Sequence, residues 1–419
     1  MIDIFSLIEK NRDGNAVGLP CFCTANEQVI RAVLNYSQKR QAPVVIEATC
    51  NQVNQDGGYT GIKADEFSAW IKSLAKEYKV SQDNIILGGD HLGPNPWRHL
   101  DAKRAMDRAK ILVKDYAKAG FRKIHLDASM ACGNEPTPSF VQVAERAAAL
   151  CKVATSHSPY PDELIYVIGT EVPVPGGETD DMDELSVTTV GRLNETIDTH
   201  RTAFNKEALD HIWPQIVSVV TQPGVDFSHT AVHRFNSAAA EELSLAVNDI
   251  PQMTFEAHST DYQPTEALNQ LVDRHFFFLK VGPELTFRMR EAVFALTQIE
   301  QHCVERNKQS GLIKAIDQAM DENPSYWEQY YQGEAATVEQ LKHYSYSDRI
   351  RYYWAIPEIQ NALNSLCSNI NAIEVPETII SQYFPARQFG DLTATAEIMI
   401  QEHVELCIDR YYNACGYKS

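Results

Sequence analysis

Eight short apolar runs recur between residues 17 and 281, and each is separated from the next by a stretch long enough for a helix. Within a run the apolar residues are continuous rather than alternating, which is the pattern of parallel strands buried on both faces. Between the second and third runs, Phe67, Ile71 and Leu74 repeat at helical spacing. The eight runs are residues 17–23, 44–50, 85–89, 123–128, 164–169, 216–221, 252–257 and 276–281.

Eight strand–helix units predict an α/β fold of the (β/α)8 TIM-barrel class, whose typical length is about 250 residues. A doubly wound parallel sheet is the alternative, and the lack of a dinucleotide-binding fingerprint disfavours it. After residue 305 the alternation stops and the sequence has the pattern of helices and turns. We therefore expect a TIM barrel over residues 1–305 and a helical C-terminal extension over residues 306–419, packed on the barrel.

Charge and composition exclude several classes of partner. The 37 Lys and Arg residues against 56 Asp and Glu residues give a net charge of −19, so nucleic acid is not expected. No apolar run reaches the roughly 18 residues of a membrane span, and the first residues lack the pattern of a secretory signal. The nine scattered cysteines, without a CxxC pair, indicate reduced thiols in a cytoplasmic protein.

Polar residues concentrate where the predicted strands end, which is where barrels of this class carry their catalytic groups. His91, His229 and His258 end the third, sixth and seventh runs. Three imidazoles at one barrel mouth can hold a divalent cation, Zn²⁺ or Mn²⁺, and leave a coordination position open. By contrast, His125 is expected to fill a core layer, and His233 is the weaker ligand candidate.

Carboxylates next to the predicted metal ligands are the candidates for proton transfer. Asp90 adjoins His91 and Glu171 ends the fifth run, so we assign both to catalysis, with a helix cap as the alternative for Asp90. An anionic substrate requires local donors in so acidic a chain, and barrels commonly bind phosphate after strands seven and eight. The expected substrate-binding residues are Glu47, Asn51, Asp127, Gln222, Ser259, Thr260, Lys280 and Gly282. Some of these carboxylates are expected to orient imidazoles instead.

Two other segments leave alternatives open. The interval between Glu171 and Trp213 is too long for a plain crossover and is acidic, so it is either a lid over the barrel mouth or a solvated insertion. Arg349 and Arg351 in the extension are either anion contacts or surface ion pairs. The chain has no GxxxxGK[ST] loop, which leaves a nucleotide kinase of that type unsupported, and no GxSxG elbow.

Long motifs in this chain resemble those of the GatZ/KbaZ family, subunits associated with D-tagatose-1,6-bisphosphate aldolase in the breakdown of galactitol and N-acetylgalactosamine. The resemblance runs nearly end to end and includes the extension. The matching segments are IEATCNQVNQ (46–55), LGGDHLGP (87–94), GTEVP (169–173), QPGV (222–225), EAHSTDYQ (256–263), KVGP (280–283) and SDRIRYYW (347–354).

More distantly, the family resembles the zinc-dependent class II fructose- and tagatose-bisphosphate aldolases, which are (β/α)8 barrels. That resemblance implies that Asp90 handles the proton of the C4 hydroxyl and that His91, His229 and His258 bind zinc. Where those aldolases have a glycine- and serine-rich phosphate turn, this chain has Ser259-Thr260-Asp261. This departure leaves the second phosphate site open.

The resemblance implies two functions of different class. One is a subunit that supports the activity and stability of a catalytic aldolase chain of GatY/KbaY type, with a metal-dependent retro-aldol site of its own. The other is a stand-alone 4-epimerase that interconverts tagatose 6-phosphate and fructose 6-phosphate. In both cases a ketohexose phosphate is the expected substrate, and the chain is expected to form a homo- or hetero-oligomer.

Overall fold

A closed barrel of eight parallel strands forms the centre of the fold. The computed structural model describes residues 2–170, 185–387 and 393–417. Around the barrel the strands follow the order β1-β10-β9-β6-β5-β4-β3-β2, so the predicted TIM barrel is confirmed. Its strands are β1 (Leu19–Cys23), β2 (Val44–Thr49), β3 (Ile85–Leu92), β4 (Lys123–Leu126), β5 (Ile165–Ile168), β6 (Ile216–Val220), β9 (Thr254–Ala257) and β10 (Phe276–Val281). The remaining two, β7 (Asp226–Phe227) and β8 (Val232–His233), form an antiparallel pair after β6.

Each of the eight predicted apolar runs coincides with one barrel strand, although β3 extends three residues beyond its run. All eight residues of β3 are buried, as are all six of β10, which confirms that the continuous apolar pattern reflects burial on both faces. The first residues of the strands form an apolar core with helix α1 (Ile4–Arg12), through Ile4 and Ile8. The amino-terminal half of the barrel interior is therefore hydrocarbon.

Helices connect successive strands. Helix α3 buries the predicted face of Phe67, Ile71 and Leu74, and α4 is followed by Gly120 in the left-handed region, with φ of 86°, where a helix cap favours glycine. The helices between β1 and β10 are α2 (Glu27–Arg40), α3 (Ala64–Glu77), α4 (Ala102–Lys118), α5 (Phe140–His157), α6 (Val190–Lys206), α7 (Glu241–Ala246) and α8 (Thr265–Asp273).

The chain divides into two compact units. The first contains Met1–Ala25, Val33–Gly282 and Asp409–Ser419, and the second contains Asn26–Ala32 and Pro283–Ile408. After β10 the described chain is helical: α9 (Pro283–Cys303), α10 (Leu312–Glu322), α11 (Ala335–Tyr344), α12 (Pro357–Asn371), α13 (Glu377–Tyr383) and α14 (Ala396–Ala414). The packing of this extension on the barrel stays a prediction.

Within the second unit, both arginines considered as anion contacts already have partners. The Nη1 of Arg349 donates to the Tyr326 carbonyl oxygen at 2.8 Å, and its guanidinium lies over the Tyr330 ring. Arg351 donates from Nη1 to the Asp348 carbonyl oxygen at 3.1 Å. These contacts account for both side chains by local packing.

Two further properties follow from the described ranges. None of the helices in them is long and apolar enough to cross a bilayer. All nine cysteines, which fall inside these ranges, are free thiols.

A buried imidazole makes the stability of the first unit sensitive to acid. His200 on α6 is fully buried, and its Nδ1–H donates to the Thr196 carbonyl oxygen at 2.8 Å. Burial lowers the pKa of His200 from 6.5 to about 4. Its stabilising contribution is therefore complete above pH 6.5 and decreases as the pH falls toward 4, by about 3 kcal/mol over that interval. The measurement is the free energy of unfolding by urea denaturation at pH 7 and at pH 4.5. We expect it to decrease less for His200→Leu than for the wild type.

The control is His99→Leu, which removes an exposed imidazole and should leave the wild-type acid sensitivity unchanged. An equal decrease in stability for the wild type and His200→Leu would contradict this prediction.

Candidate active site

Charged side chains fill the carboxyl half of the barrel interior. Glu47 of β2, Lys123 of β4 and Glu256 of β9 are each fully buried and in contact, although their strands are not neighbours in the barrel. Contacts between such strands must cross the interior. The barrel therefore changes from hydrocarbon at its amino-terminal end to buried charge toward its carboxyl end.

Five charged side chains inside the barrel form a row of alternating charge, which we call the ionic row. Lys123 Nζ lies 2.6 Å from Glu47 Oε1 and 2.6 Å from Glu256 Oε2. Lys280 Nζ pairs with Glu47 Oε2 and lies 2.9 Å from Asp90 Oδ1. The order is thus Glu256, Lys123, Glu47, Lys280 and Asp90, with each lysine held between two carboxylates. Buried charges require this kind of pairing, because isolated ones are strongly disfavoured away from water.

The two lysines respond differently to burial. Burial lowers the pKa of Lys123, but Glu256, Cys21 and Asp90 together outweigh that effect and the net shift is upward. For Lys280, burial dominates and lowers the pKa. Lys123 is therefore the firmly cationic centre of the ionic row.

Glycine at position 88 makes room for the ionic row. A Cβ added to Gly88 on β3 would lie 2.6 Å from Glu47 Oε1 and 2.7 Å from its Cγ. A side chain at position 88 would therefore displace the carboxylate that joins the two lysines. Any residue larger than glycine conflicts with the observed position of Glu47.

Three imidazoles lie at the end of the ionic row and are called here the imidazole triangle. The ring centroids of His91, His125 and His258 are 4.9 to 5.1 Å apart. Each ring has a carboxylate partner: His91 Nδ1 is 2.8 Å from Asp127, His125 Nδ1 is 3.0 Å from Asp90, and His258 Nε2 is 2.9 Å from Glu256. Carboxylates in this position fix the tautomer and the orientation of an imidazole.

Asp90 connects the ionic row to the imidazole triangle. Its Oδ1 faces Lys280 and His125, and its Oδ2 accepts a hydrogen bond from Cys23 Sγ at 3.3 Å. Burial opposes ionisation, but His91, His125 and His258 together hold the pKa of Asp90 well below its usual range. Asp90 is therefore ionised at neutral pH.

Opposing effects also act on His91 and His258. Burial lowers the pKa of His91, but the charges of Asp90 and Asp127 raise it to about 9 overall. Burial lowers the pKa of His258, and the partial compensation by Glu256 does not reverse that shift. Backbone strain accompanies this electrostatic arrangement, since His91 has φ of 47° and Ser259 has φ of 52°. Non-glycine residues in this region cluster at functional sites.

The donor set fits a divalent cation. Asp90, His125, Glu256 and His258 each offer a ligand atom within 4.8 Å of the others. The Nε2 of His125 is buried and has no hydrogen-bond partner among the described residues. Four carboxylates, those of Glu47, Asp90, Asp127 and Glu256, surround the site and favour the binding of a cation. Mixed nitrogen and oxygen ligands suit Zn²⁺ or Mn²⁺.

Six of the thirteen expected site residues lie in this cluster. Asp90, His91, His258, Glu47, Asp127 and Lys280 are all part of it. Glu47 pairs with two lysines, and Asp127 orients His91, so both have partners other than a substrate. The substrate roles proposed for them stay predictions.

Other expected residues lie elsewhere or make local contacts. His229 is half-buried in the turn between β7 and β8, outside the imidazole triangle, and its ligand role stays a prediction. The Gln222 Oε1 accepts from the Gly224 and Val225 amides at 2.8 and 3.0 Å. Asn51 and Ser259 are half-buried on the loops after β2 and β9. Glu171 and the acidic stretch considered as a lid fall outside the described residues.

Sequence reasoning missed Lys123 and assigned His125 to a core layer. His125 is buried, but its ring belongs to the imidazole triangle rather than to hydrocarbon. A two-residue period of polar side chains could have revealed both, since Lys123, His125 and Asp127 alternate with apolar residues. Thr254, Glu256 and His258 repeat the pattern on β9, where every second residue faces the same side.

Known proteins resemble this chain over nearly its whole length. The family model described as D-tagatose-1,6-bisphosphate aldolase subunit GatZ/KbaZ-like matches residues 4–416. A crystal structure of a probable tagatose 6 phosphate kinase from Sinorhizobium meliloti 1021 is 39% identical, with a TM-score of 0.87, covering 95% of this chain and 100% of that one.

Two aldolase structures are more distant. The YdjI aldolase from Escherichia coli K12 is 12% identical with a TM-score of 0.43, covering 86% of this chain and 96% of that one. The fructose-bisphosphate aldolase from Campylobacter jejuni is 13% identical with a TM-score of 0.43, covering 89% of this chain and 95% of that one.

Removal of Lys123 should strongly destabilise the barrel. Lys123→Met leaves Glu47 and Glu256 facing each other in a buried site, and breaking a buried ion pair from one side costs about 3–5 kcal/mol. We expect a lower urea midpoint and a lower melting temperature. Adding Glu256→Gln to Lys123→Met should recover part of the loss, because the second change removes an unpaired charge.

Lys103→Met is the matched control, since the Lys103 side chain is 86% exposed and its removal should change stability by no more than about 0.5 kcal/mol. Similar losses for the two methionine variants would show that the ionic row does not stabilise the fold.

Proposed function

We propose that this chain, which belongs to the GatZ/KbaZ-like family of D-tagatose-1,6-bisphosphate aldolase subunits, carries a metal-dependent site for carbon–carbon bond cleavage in ketohexose phosphates. In the same proposal it supports the activity and stability of a catalytic aldolase chain of GatY/KbaY type. The observation that carries the proposal is the imidazole triangle, with the ionised Asp90 beside it. A subunit whose only role is support does not require this arrangement.

We propose His125, His258 and Glu256 as the residues that hold the cation, with Asp90 beside them as the proton acceptor. The unpartnered His125 Nε2 favours this set. His125 Nδ1 lies 3.0 Å from Asp90 Oδ1 and 3.2 Å from the His91 amide nitrogen. If Nε2 binds a cation, the ring proton lies on Nδ1 and is donated to Asp90 Oδ1, and the contact with the His91 amide is given up. The set expected from the sequence, His91, His229 and His258, is the alternative. A divalent cation bound here supplies Lewis-acid polarisation of the ketose carbonyl.

Asp90 is the proposed proton acceptor. Its Oδ1 faces both Lys280 and His125, whereas Oδ2 accepts the weaker thiol hydrogen bond of Cys23 at 3.3 Å. We therefore assign Oδ2 as the atom that receives the proton of the C4 hydroxyl. As that proton leaves, the C4–O bond becomes a carbonyl and the C3–C4 bond breaks, and its electron pair moves toward the C2 carbonyl. Re-addition returns the proton from Asp90. The ionic row keeps the carboxylate ionised and fixed during both steps.

A stand-alone 4-epimerase is the second candidate. All the residues of the ionic row and the imidazole triangle come from one chain, which is what a site that acts alone requires. If the aldehyde formed by cleavage rotates before re-addition, C4 is inverted and the same groups complete an epimerisation. The Sinorhizobium meliloti relative is described as acting on tagatose 6-phosphate, and we propose that sugar phosphate as a substrate here.

Turnover by the purified chain tests the proposal. We expect tagatose 6-phosphate or tagatose 1,6-bisphosphate to be converted in the presence of Zn²⁺ or Mn²⁺ and not after chelation, with products identified by NMR. Asp90→Asn should lower kcat by about 10²- to 10⁴-fold, as for the loss of a general base. Asp107→Asn, a change at an exposed aspartate on α4, is the control and should retain wild-type rates.

Absence of turnover with every metal, together with activation of an added aldolase chain, would leave only the supporting role. Transfer of phosphate from ATP to the sugar, tested in a parallel reaction, would instead indicate a kinase.

Cobalt substitution tests the ligand set. We expect His125→Ala to weaken Co²⁺ binding by about tenfold or more, as followed by the visible absorption of the bound ion, because a ligand is lost. His99→Ala, at an exposed histidine, is the control. A loss of affinity in His229→Ala but not in His125→Ala would contradict the set proposed from the structure and favour the one expected from the sequence.

A further inference from the structure

The loops after β9 and β10, the seventh and eighth strands of the barrel, are where folds of this class commonly bind phosphate. Backbone amides, hydroxyls and a lysine are the donors that such a site uses. In this chain the three donors expected from the sequence are Thr260, Lys280 and Gly282. Thr260 and Gly282 already donate hydrogen bonds to acceptors of the chain itself, and Lys280 is ion-paired with Glu47 and Asp90.

A carboxylate occupies the amide after β10. The Gly282 N–H donates to Asp261 Oδ1 at 3.0 Å, and Asp261 is only 2% exposed. A phosphate oxygen would need that same amide. It would then lie against a buried negative charge, and like charges placed together at an interface are disfavoured by several kcal/mol.

The other two donors, Thr260 and Lys280, also have partners within the chain. Thr260 Oγ1 donates to the Lys280 carbonyl oxygen at 2.5 Å, and Tyr411 donates from its hydroxyl to the Thr260 carbonyl oxygen at 2.8 Å. The ammonium group of Lys280 is in the ionic row, between Glu47 and Asp90. A phosphate at these loops would therefore have to displace internal contacts that hold the barrel together.

The loop that carries Asp261 is held in place on both sides. Ser259 and Tyr262 have φ of 52° and 62°, so the turn has a specific backbone shape. Gln263 fixes its end, since Oε1 accepts from the Phe235 amide at 3.1 Å and Nε2 donates to the His233 carbonyl oxygen at 2.7 Å. The carboxylate of Asp261 is thus positioned by the loop.

We infer that Asp261 is a specificity-determining residue that excludes phosphate from the loops after β9 and β10, so that this part of the site accepts a hydroxyl-bearing, uncharged end of the sugar. The identity of the sugar rests on the proposed function, but the exclusion of phosphate does not. The chain then acts on a ketohexose with no more than one phosphate.

Titration with inorganic phosphate tests the exclusion directly. Asp261→Asn keeps a hydrogen-bond acceptor for Gly282 and removes the charge, and Asp261→Ser also frees the amide. We expect calorimetry to show phosphate binding that is roughly tenfold or more tighter in both variants than in the wild type, because a like charge has been removed. Asp249→Asn makes the same change at an exposed position and should behave as the wild type.

Equal phosphate affinity in the wild type and in both Asp261 variants would overturn the inference. It would also be overturned if Asp249→Asn raised the phosphate affinity as much as the Asp261 variants do. Both variants must melt within a few degrees of the wild type, and Asp261→Asn is the conservative change that keeps the comparison valid if Asp261→Ser unfolds.

A second arm uses the sugars. The wild type should bind tagatose 6-phosphate more tightly than tagatose 1,6-bisphosphate, and Asp261→Ser should reduce that ratio by roughly tenfold. Tighter binding of the bisphosphate by the wild type would overturn the inference even if turnover is observed. Conversely, a chain that turns over neither sugar would defeat the proposed function while the phosphate titration still decides the role of Asp261.

Discussion

The ion pairs among Glu256, Lys123, Glu47, Lys280 and Asp90 are the contacts on which the inside of this barrel depends. Removing charged groups from water costs several kcal/mol for each ion, and only close pairing offsets it. Because each lysine lies between two carboxylates, the loss of any member removes an ion-pair partner from at least one neighbour. The same residues hold His258 and His125 in position, so the stability of the barrel and the geometry of the imidazole triangle have one physical origin.

The fold was predictable from the sequence because burial on both faces gives each parallel strand an unbroken apolar run, and eight runs with helical spacers leave few alternatives. The site was only partly predictable. Asp90, His91 and His258 follow from their positions at strand ends. Lys123 and His125 lie within a strand, where a polar residue resembles an interruption until the opposite strand is known. The partners of Lys123 are 76 residues before it and 133 residues after it, and no local pattern links them.

The outer loops show why membership of a family does not by itself specify a substrate. The description of the family names a bisphosphate aldolase. In this chain, however, Thr260 and the Gly282 amide, on the loops after β9 and β10, already donate hydrogen bonds to acceptors of the chain itself. Their expected roles in substrate binding stay predictions. Residues of suitable type in a suitable place therefore predict a phosphate site only when their hydrogen-bonding groups remain available. The sequence alone does not contain that information.

Because Glu47 and Gly88 are in close contact, the residue that is tolerated at position 88 depends on the residue at position 47. As long as position 47 carries a glutamate of this conformation, position 88 has no space for even a methyl group. A shorter acid at 47 would release that space but would no longer reach both lysines. The two sites are therefore expected to diverge together rather than singly, so that in related chains a side chain at position 88 would mark a barrel whose interior charges are arranged differently.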